Sequence, residues 1–351
     1  MKNYSIPDRH KQILKLIVED YISCSEPVGS RKLSKISQLN LSSATIRNSM
    51  ADLEDIGLLT QPHTSAGRIP TDKGYKYYIN FLMNPRKLTN SQKKTIIKEY
   101  SNVGPNVDNL IENTSRILAS FSNQVGLISI PELNNIKLKQ ISFIKITSKR
   151  YLVIIVSYSG LVNNRIVELS YELTQDELNS MANYLNDKFS KLTLLEIQHK
   201  LFSLIQEDKD NYFILCNQAL EIGKKAFGTD YPGNLYFDGT TNIIEQPEFS
   251  NFDKMKSLLV ALNDKVKLLE IVNRCFGEDG LQVHIGSEII PSELKDCSIV
   301  TCTYKFRGDI LGVLGILGPT RMNYKELLPF VDYTADLVSK YLSKENSTTV
   351  I

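Results

Sequence analysis

The stretch LSSATIRNSMADLEDIGLLTQPHTSAGRIPTDKGYKYYINFL, residues 41–82, admits few folds. Ile46, Met50, Leu53 and Ile56 recur at helical spacing and form one inner stripe, with Ser42 or Ser43 available as the cap and Gly57 as the stop. GLLTQ and GRIPT then read as two short strands around PHTSA, and Thr71 or Asp72 starts another helix. Upstream, Pro7-Asp8 opens a helix carried by Ile13, Leu14, Ile17, Val18 and Tyr21. Pro27 in SCSEPVGS ends any continuation, and Ser30 can cap RKLSKIS. Helices followed by a two-stranded finger predict a winged helix-turn-helix.

Stepping 100° per residue from Ile46 puts Ala44, Thr45, Asn48, Ala51 and Asp52 on the far side of that helix, flanked by Ser43 and Arg47. Small and neutral polar groups come first and acids come later. A helix amino end of this kind favours phosphate, because its free N–H groups and dipole present positive charge. Asn48 suits an adenine edge, Arg47 a guanine edge or a phosphate, and Ala44 or Thr45 a thymine methyl. Arg68 in the finger is the expected contact to an adjacent minor groove or its phosphates. Polar outer faces also occur on ordinary surface helices, and winged helices also dock proteins. Charge favours nucleic acid: residues 1–90 hold 13 Lys and Arg against 8 Asp and Glu, whereas the whole chain of 351 residues has a net charge of only +2.

Beyond Pro85, the polar RKLTNSQKK reads as a linker or bridging helix, and NVDNLIENTSRILASFSNQ as a helix. Short runs rich in Ile, Val, Tyr and Phe between 136 and 171 predict three antiparallel strands, followed by a helix with a Thr174/Glu177 capping box. Asp238-Gly239 predicts a hairpin between helix candidates at 212–227 and 252–275. Strands return in LQVHIGSEI, CSIVTCTYKF and DILGVLGILGP before a final helix. The fold class expected is multidomain α+β, a sensor-like domain interrupted by an inserted module.

Enzyme chemistry finds no support. Gly308, Gly312, Gly315 and Gly318 lie inside a strand-like run, where a phosphate loop would need them between strand and helix. The acidic run Glu207, Asp208, Asp210 has no companion cluster, and His10, His63, His199 and His284 stand apart. Neither a catalytic constellation nor a metal or cofactor site is expected. The five cysteines, Cys24, Cys216, Cys275, Cys297 and Cys302, show no paired metal spacing and read as buried free thiols in a reducing compartment. The absence of a long apolar run and of an apolar signal core predicts a cytoplasmic protein with no membrane partner.

The segment LSSATIRNSMADLEDIGLLTQPHTSAGRIPTDKGYKYYI closely resembles the winged-helix part of the HrcA family of heat-inducible transcription repressors. GTTNIIEQPEF resembles the hairpin of that family's inserted module, and GVLGILGPTRMNY its late strand and turn. The resemblance spans essentially the whole chain. It implies a homodimer that binds an inverted-repeat operator on double-stranded DNA upstream of chaperone operons, with activity supported by a GroEL-type chaperonin and lost on heat stress. It also implies an N-terminal winged helix (1–88), a linker (89–104), a GAF-like domain in two parts (105–203 and 269–343) around an inserted dimerising module (204–268), and a polar tail (344–351). Carried over by position, Ser43, Thr45, Arg47, Asn48 and Arg68 are the DNA-contact candidates. The alternative is a winged-helix regulator whose GAF-like domain senses a metabolite.

Overall fold

A computed structural model describes residues 6–36, 41–63, 66–101, 107–129, 137–158, 162–193, 196–197, 200, 235–274, 279–289, 292–306 and 309–345. The chain is mixed α+β and divides into two compact units: residues 1–129, 235–305 and 310–351 form the first, and residues 130–234 and 306–309 form the second.

The first unit opens with α1 (Asp8–Cys24), α2 (Ser30–Ile36) and α3 (Ser43–Asp55). A two-stranded hairpin follows, β1 (Leu59–Thr60) pairing antiparallel with β2 (Ile69–Pro70), and then α4 (Asp72–Tyr77), which continues as a π-helical turn over Tyr78–Leu82. Ile13, Leu14, Ile17, Val18, Leu33, Ile46, Leu53 and Leu59 are all buried and close a small core. Fully burying each such side chain stabilises by about 1.5–3 kcal/mol. Ser42 caps α3, accepting from the Thr45 N–H at 3.1 Å. Gly57, at φ +75°, turns the chain out of it, and Leu58 N bonds back to Leu53 O. Ile56 does not join the inner stripe. It stands outside the last helical turn and is 38% exposed.

The polar stretch after Pro85 forms a bridging helix, α5 (Asn90–Tyr100), started by a Thr89/Gln92 capping box. Next come α6 (Val107–Ser122) and β3 (Val125–Ser129). Helix and strand touch backbone to backbone, since a Cβ on Gly126 would lie 2.1 Å from Ser115 O.

The second unit holds β4 (Leu138–Lys145), β5 (Arg150–Ser157), β6 (Val162–Glu168) and α7 (Gln175–Phe189). Its three strands form an antiparallel sheet of their own. Phe143, Tyr151, Val153 and Val167 on one face pack with Leu178, Met181 and Leu185 of α7. Residues 105–203, expected as the first part of a GAF-like domain, span both units. Composition alone cannot separate two sheets of the same apolar character; pairing does. The helix candidate at 212–227, the acidic run at 207–210, His199, Cys216, Cys275 and Gly308 lie outside the described residues.

The first unit resumes with β7 (Leu235–Asp238), α8 (Thr240–Ile244), α9 (Phe252–Asn263), α10 (Lys265–Arg274), β8 (Leu281–Ile285), β9 (Cys297–Phe306), β10 (Asp309–Pro319) and α11 (Tyr324–Glu345). Its sheet runs β7-β3-β10-β9-β8. The expected Asp238-Gly239 hairpin is a strand-to-helix corner. Gly239 has the positive φ (+81°) a tight turn needs, but Thr240 onward is helical, and the Asn242 amide donates to Ala119 O and Gln124 O. Gly312 and Gly315 sit within β10, where a Cβ would come 2.4 Å from Ser129 O or 2.2 Å from Val300 O. The glycines therefore serve close packing within the sheet region. No helix of the described residues is long and apolar enough to cross a membrane.

Candidate nucleic-acid interface

α3 owes its exposed face to the way its neighbours hold it. Ile46, Ser49, Met50 and Leu53 are buried against the core. The Ser43 hydroxyl lies 3.1 Å from that of Ser30, tying the start of α3 to the start of α2. The hydroxyls of Ser42 and Thr45 are 2.9 Å apart. Farther along, His10 of α1 meets Asp52 at 2.9 Å, so one of the late acids is engaged from the side.

Outward-facing residues are Ala44, Arg47, Asn48, Ala51, Asp52 and Asp55, with Thr45 half-buried. Arg47 and Asn48 make no hydrogen bond or ion pair to another described residue. No acid stands in the first turn. The amino end of α3 thus combines free donors, a guanidinium and an amide, a set that matches phosphates and base edges. On α2, Arg31 and Lys35 are exposed as well. Sequence reading passed over them, though their spacing of four within RKLSK places both on one helical face.

Three of the five expected contact residues have side-chain partners within the protein: Thr45 meets Ser42, Ser43 meets Ser30 and Arg68 meets Glu54. Ser43 is a fastener between helices. Arg68 does not tip the finger. It sits at the base of β2, its backbone exchanging two 2.9 Å hydrogen bonds with Val28. Its guanidinium forms a 2.7 Å ion pair with Glu54 of α3, and its side chain is 21% exposed. A Cβ on Gly67 would lie 2.4 Å from Val28 O, so this glycine admits the close approach that brings Arg68 back onto α3. Among the described residues of the finger, Thr60, Pro62 and His63 are exposed.

Elsewhere, no group of three or more His, Cys, Asp or Glu among the described residues is arranged to hold a metal ion. Cys297 and Cys302 are buried free thiols, with burial pushing each up to about 12. Cys24 departs from the expectation and is exposed.

Comparison with known proteins settles the lineage. The family model described as HrcA protein C terminal domain matches residues 108–328. The heat-inducible transcription repressor HrcA of Geobacter sulfurreducens is 39% identical over 340 residues, covering 97% of this chain and 99% of that protein. The repressor of the same name from Syntrophobacter fumaroxidans is 38% identical over 347 residues, covering 98% and 99%. The chain belongs to the HrcA family. Among solved structures, the crystal structure of a hypothetical protein at 2.2 Å resolution superposes with a TM-score of 0.56 at 21% identity. It covers 97% of this chain and 100% of that one, a likeness of fold. The HrcA match extends on both sides of the family model, so α3 and its hairpin fall within the aligned relatives.

Proposed function

We propose that this protein is a heat-inducible transcription repressor that binds an inverted-repeat operator of chaperone operons as a homodimer. Residues 6–83 act as a winged helix-turn-helix. α2 and α3 are its two helices, α3 lies in the major groove, and the β1–β2 finger is the wing. Arg47 and Asn48 read base edges, Thr45 and the amino end of α3 take phosphate, and Arg31 and Lys35 add sequence-independent attraction. Arg68 supports the wing from behind. The observation that carries this reading is the pair Arg47 and Asn48, exposed on the early turns of α3 and unengaged by other described residues.

The rest of the first unit is the GAF-like body, and the second unit is the dimerising insertion. The outer face of β4–β6 supports that role: Ile144, Leu152 and Ile166 are directly cross-strand neighbours, and Ile144 and Ile166 are 46% and 51% exposed. Bound over a promoter, the dimer excludes polymerase. A GroEL-type chaperonin supports the dimer kinetically, returning non-native chains to the folding path before they aggregate. Heat draws both chains and chaperonin away, and repression lapses.

Footprinting of DNA upstream of a chaperonin operon tests the reading. The expected result is protection of two symmetric half-sites, restored by chaperonin after heating. Uniform cleavage at every protein concentration would refute it.

A further inference from the structure

The seam between the DNA-reading head, residues 6–83, and the remainder of the first unit is polar and clamped from two sides. On one side α4 presents Asp72 and Lys76, one turn apart. Asp72 Oδ2 accepts from the backbone N–H of Ser287 at 3.0 Å. Lys76 Nζ reaches the two oxygens of Glu288 at 2.7 and 2.6 Å and the carbonyl of Val283 at 3.4 Å. Gly286, at φ +54°, makes this possible, since a Cβ there would lie 2.2 Å from the Asp72 carboxylate.

On the other side Arg321 spreads its guanidinium over two partners. Nε and Nη2 meet Glu248 at 2.5 and 3.4 Å, and Nη1 donates to Ile22 O, near the end of α1, at 2.8 Å. The side chains of Arg321 and Glu248 are only 12% and 18% exposed. Lys325 pairs with Glu19 at 2.6 Å, and Arg86 N donates to Lys325 O at 2.9 Å. Between the two sides the buried rings of Tyr75 and Tyr324 lie 6.1 Å apart.

No residue of this seam belongs to the outward face of α3. The Arg321–Glu248 fork lies within the body and fixes the guanidinium in direction as well as distance, so that its Nη1 is aimed at the Ile22 carbonyl of the head. A purely apolar seam would let the head slide. This one specifies an angle.

We infer that Arg321, aided by the Asp72 and Lys76 contacts to residues 286–288, is a positioning residue that holds the reading head at one orientation on the body and thereby sets which half-site spacing the dimer accepts. The inference rests on the DNA-binding dimer proposed above. Neither Arg321 nor Lys76 lies on α3 or the finger, so each acts on geometry alone.

The test uses full-length protein and three duplexes: the operator, the operator with about half a helical turn, roughly 5 base pairs, inserted between half-sites, and a single half-site. Wild type should lose on the order of 100-fold in affinity on the lengthened operator, because both heads no longer engage together. Arg321→Gln should bind the single half-site as wild type does, yet discriminate far less between the two spacings. Lys76→Glu, at a more exposed position, should do the same, and Glu288→Lys in that background should restore much of the discrimination. Unchanged discrimination in both Arg321→Gln and Lys76→Glu would overturn the inference, as would an equal loss on all three duplexes, which marks a general stability role. If wild type itself binds none of them, the DNA-binding reading falls and takes the inference with it.

Discussion

The outward face of α3 and the outward face of the β4–β6 sheet are both exposed, and they are chemical opposites. The first carries an arginine, an asparagine and small side chains on its early turns and the acids Asp52 and Asp55 on its later ones. The second aligns Ile144, Leu152 and Ile166 across three strands. Exposed polar groups retain their water until a partner offers better-placed hydrogen bonds, whereas an apolar row is stabilised by any surface that removes it from water. One face therefore suits a specific polar ligand, and the other suits a dry protein contact. The faces also belong to separately cored units, which lets them be broken one at a time.

The largest expected effects test that separation. Leu53→Ala empties a site that is fully buried beneath α3, and Ile141→Ala does so beneath the sheet. Each should cost about 2–5 kcal/mol, from lost burial plus the cavity left behind. Calorimetry should resolve the change in different transitions, Leu53→Ala lowering that of the first unit and Ile141→Ala that of the second. A single transition that both variants lower together would erase the distinction between the units.

Surface changes should be smaller and more selective. Arg47→Ala should weaken operator binding by about 1–3 kcal/mol, read by fluorescence anisotropy, and leave self-association unchanged. Ile166→Asp should do the converse, shifting sedimentation toward monomer while affinity for a single half-site stays as in wild type. If Ile166→Asp sediments as wild type, the apolar row is not the dimer contact.

These faces were not equally legible in the sequence. The turns of α3 followed from local signals: the serine cap, the 3.6-residue stripe and the glycine stop all lie within sixteen residues of one another. The ion pair of Arg68 could not be read from its surroundings, because a basic residue in a small polar loop looks like a free charge. Its partner Glu54 lies on the preceding helix, and only the Val28 bridge brings the two together. Ile56 kept the apolar period one step past the point where the chain had left the helix. Asp238-Gly239 supplied the backbone freedom of a turn but not the partner strand, and Asn242 instead fastens a helical corner to residues more than a hundred positions earlier. The division between the two sheets was hidden for the same reason, since pairing is long-range and composition is not. The polar seam under the head was wholly invisible: Lys76 and Glu288 are 212 residues apart.

The smallest expected effect sharpens the contrast at the helix starts. α7 begins with two acids, Asp176 and Glu177, and Glu177 closes a capping box with Thr174. α3 has the serine cap and no acid in its first turn. The positive end of α7 is thus already answered by acids from within, while that of α3 has none of its own. Hydrogen bonds from the Thr174 backbone N–H, then from its hydroxyl, hold the Glu177 carboxyl below its ordinary value of 4.5. A carboxyl lowered in the folded state stabilises fully above that ordinary value and loses the contribution as pH falls through the lowered one. Glu177→Gln should therefore melt slightly below wild type at neutral pH, with the gap closing progressively as thermal scans move below about pH 4.5. A gap that persists or widens in acid would mean that packing of the side chain, and not its charge at the helix start, is what α7 uses. The difference drawn between the two helix starts would then have to rest on α3 alone.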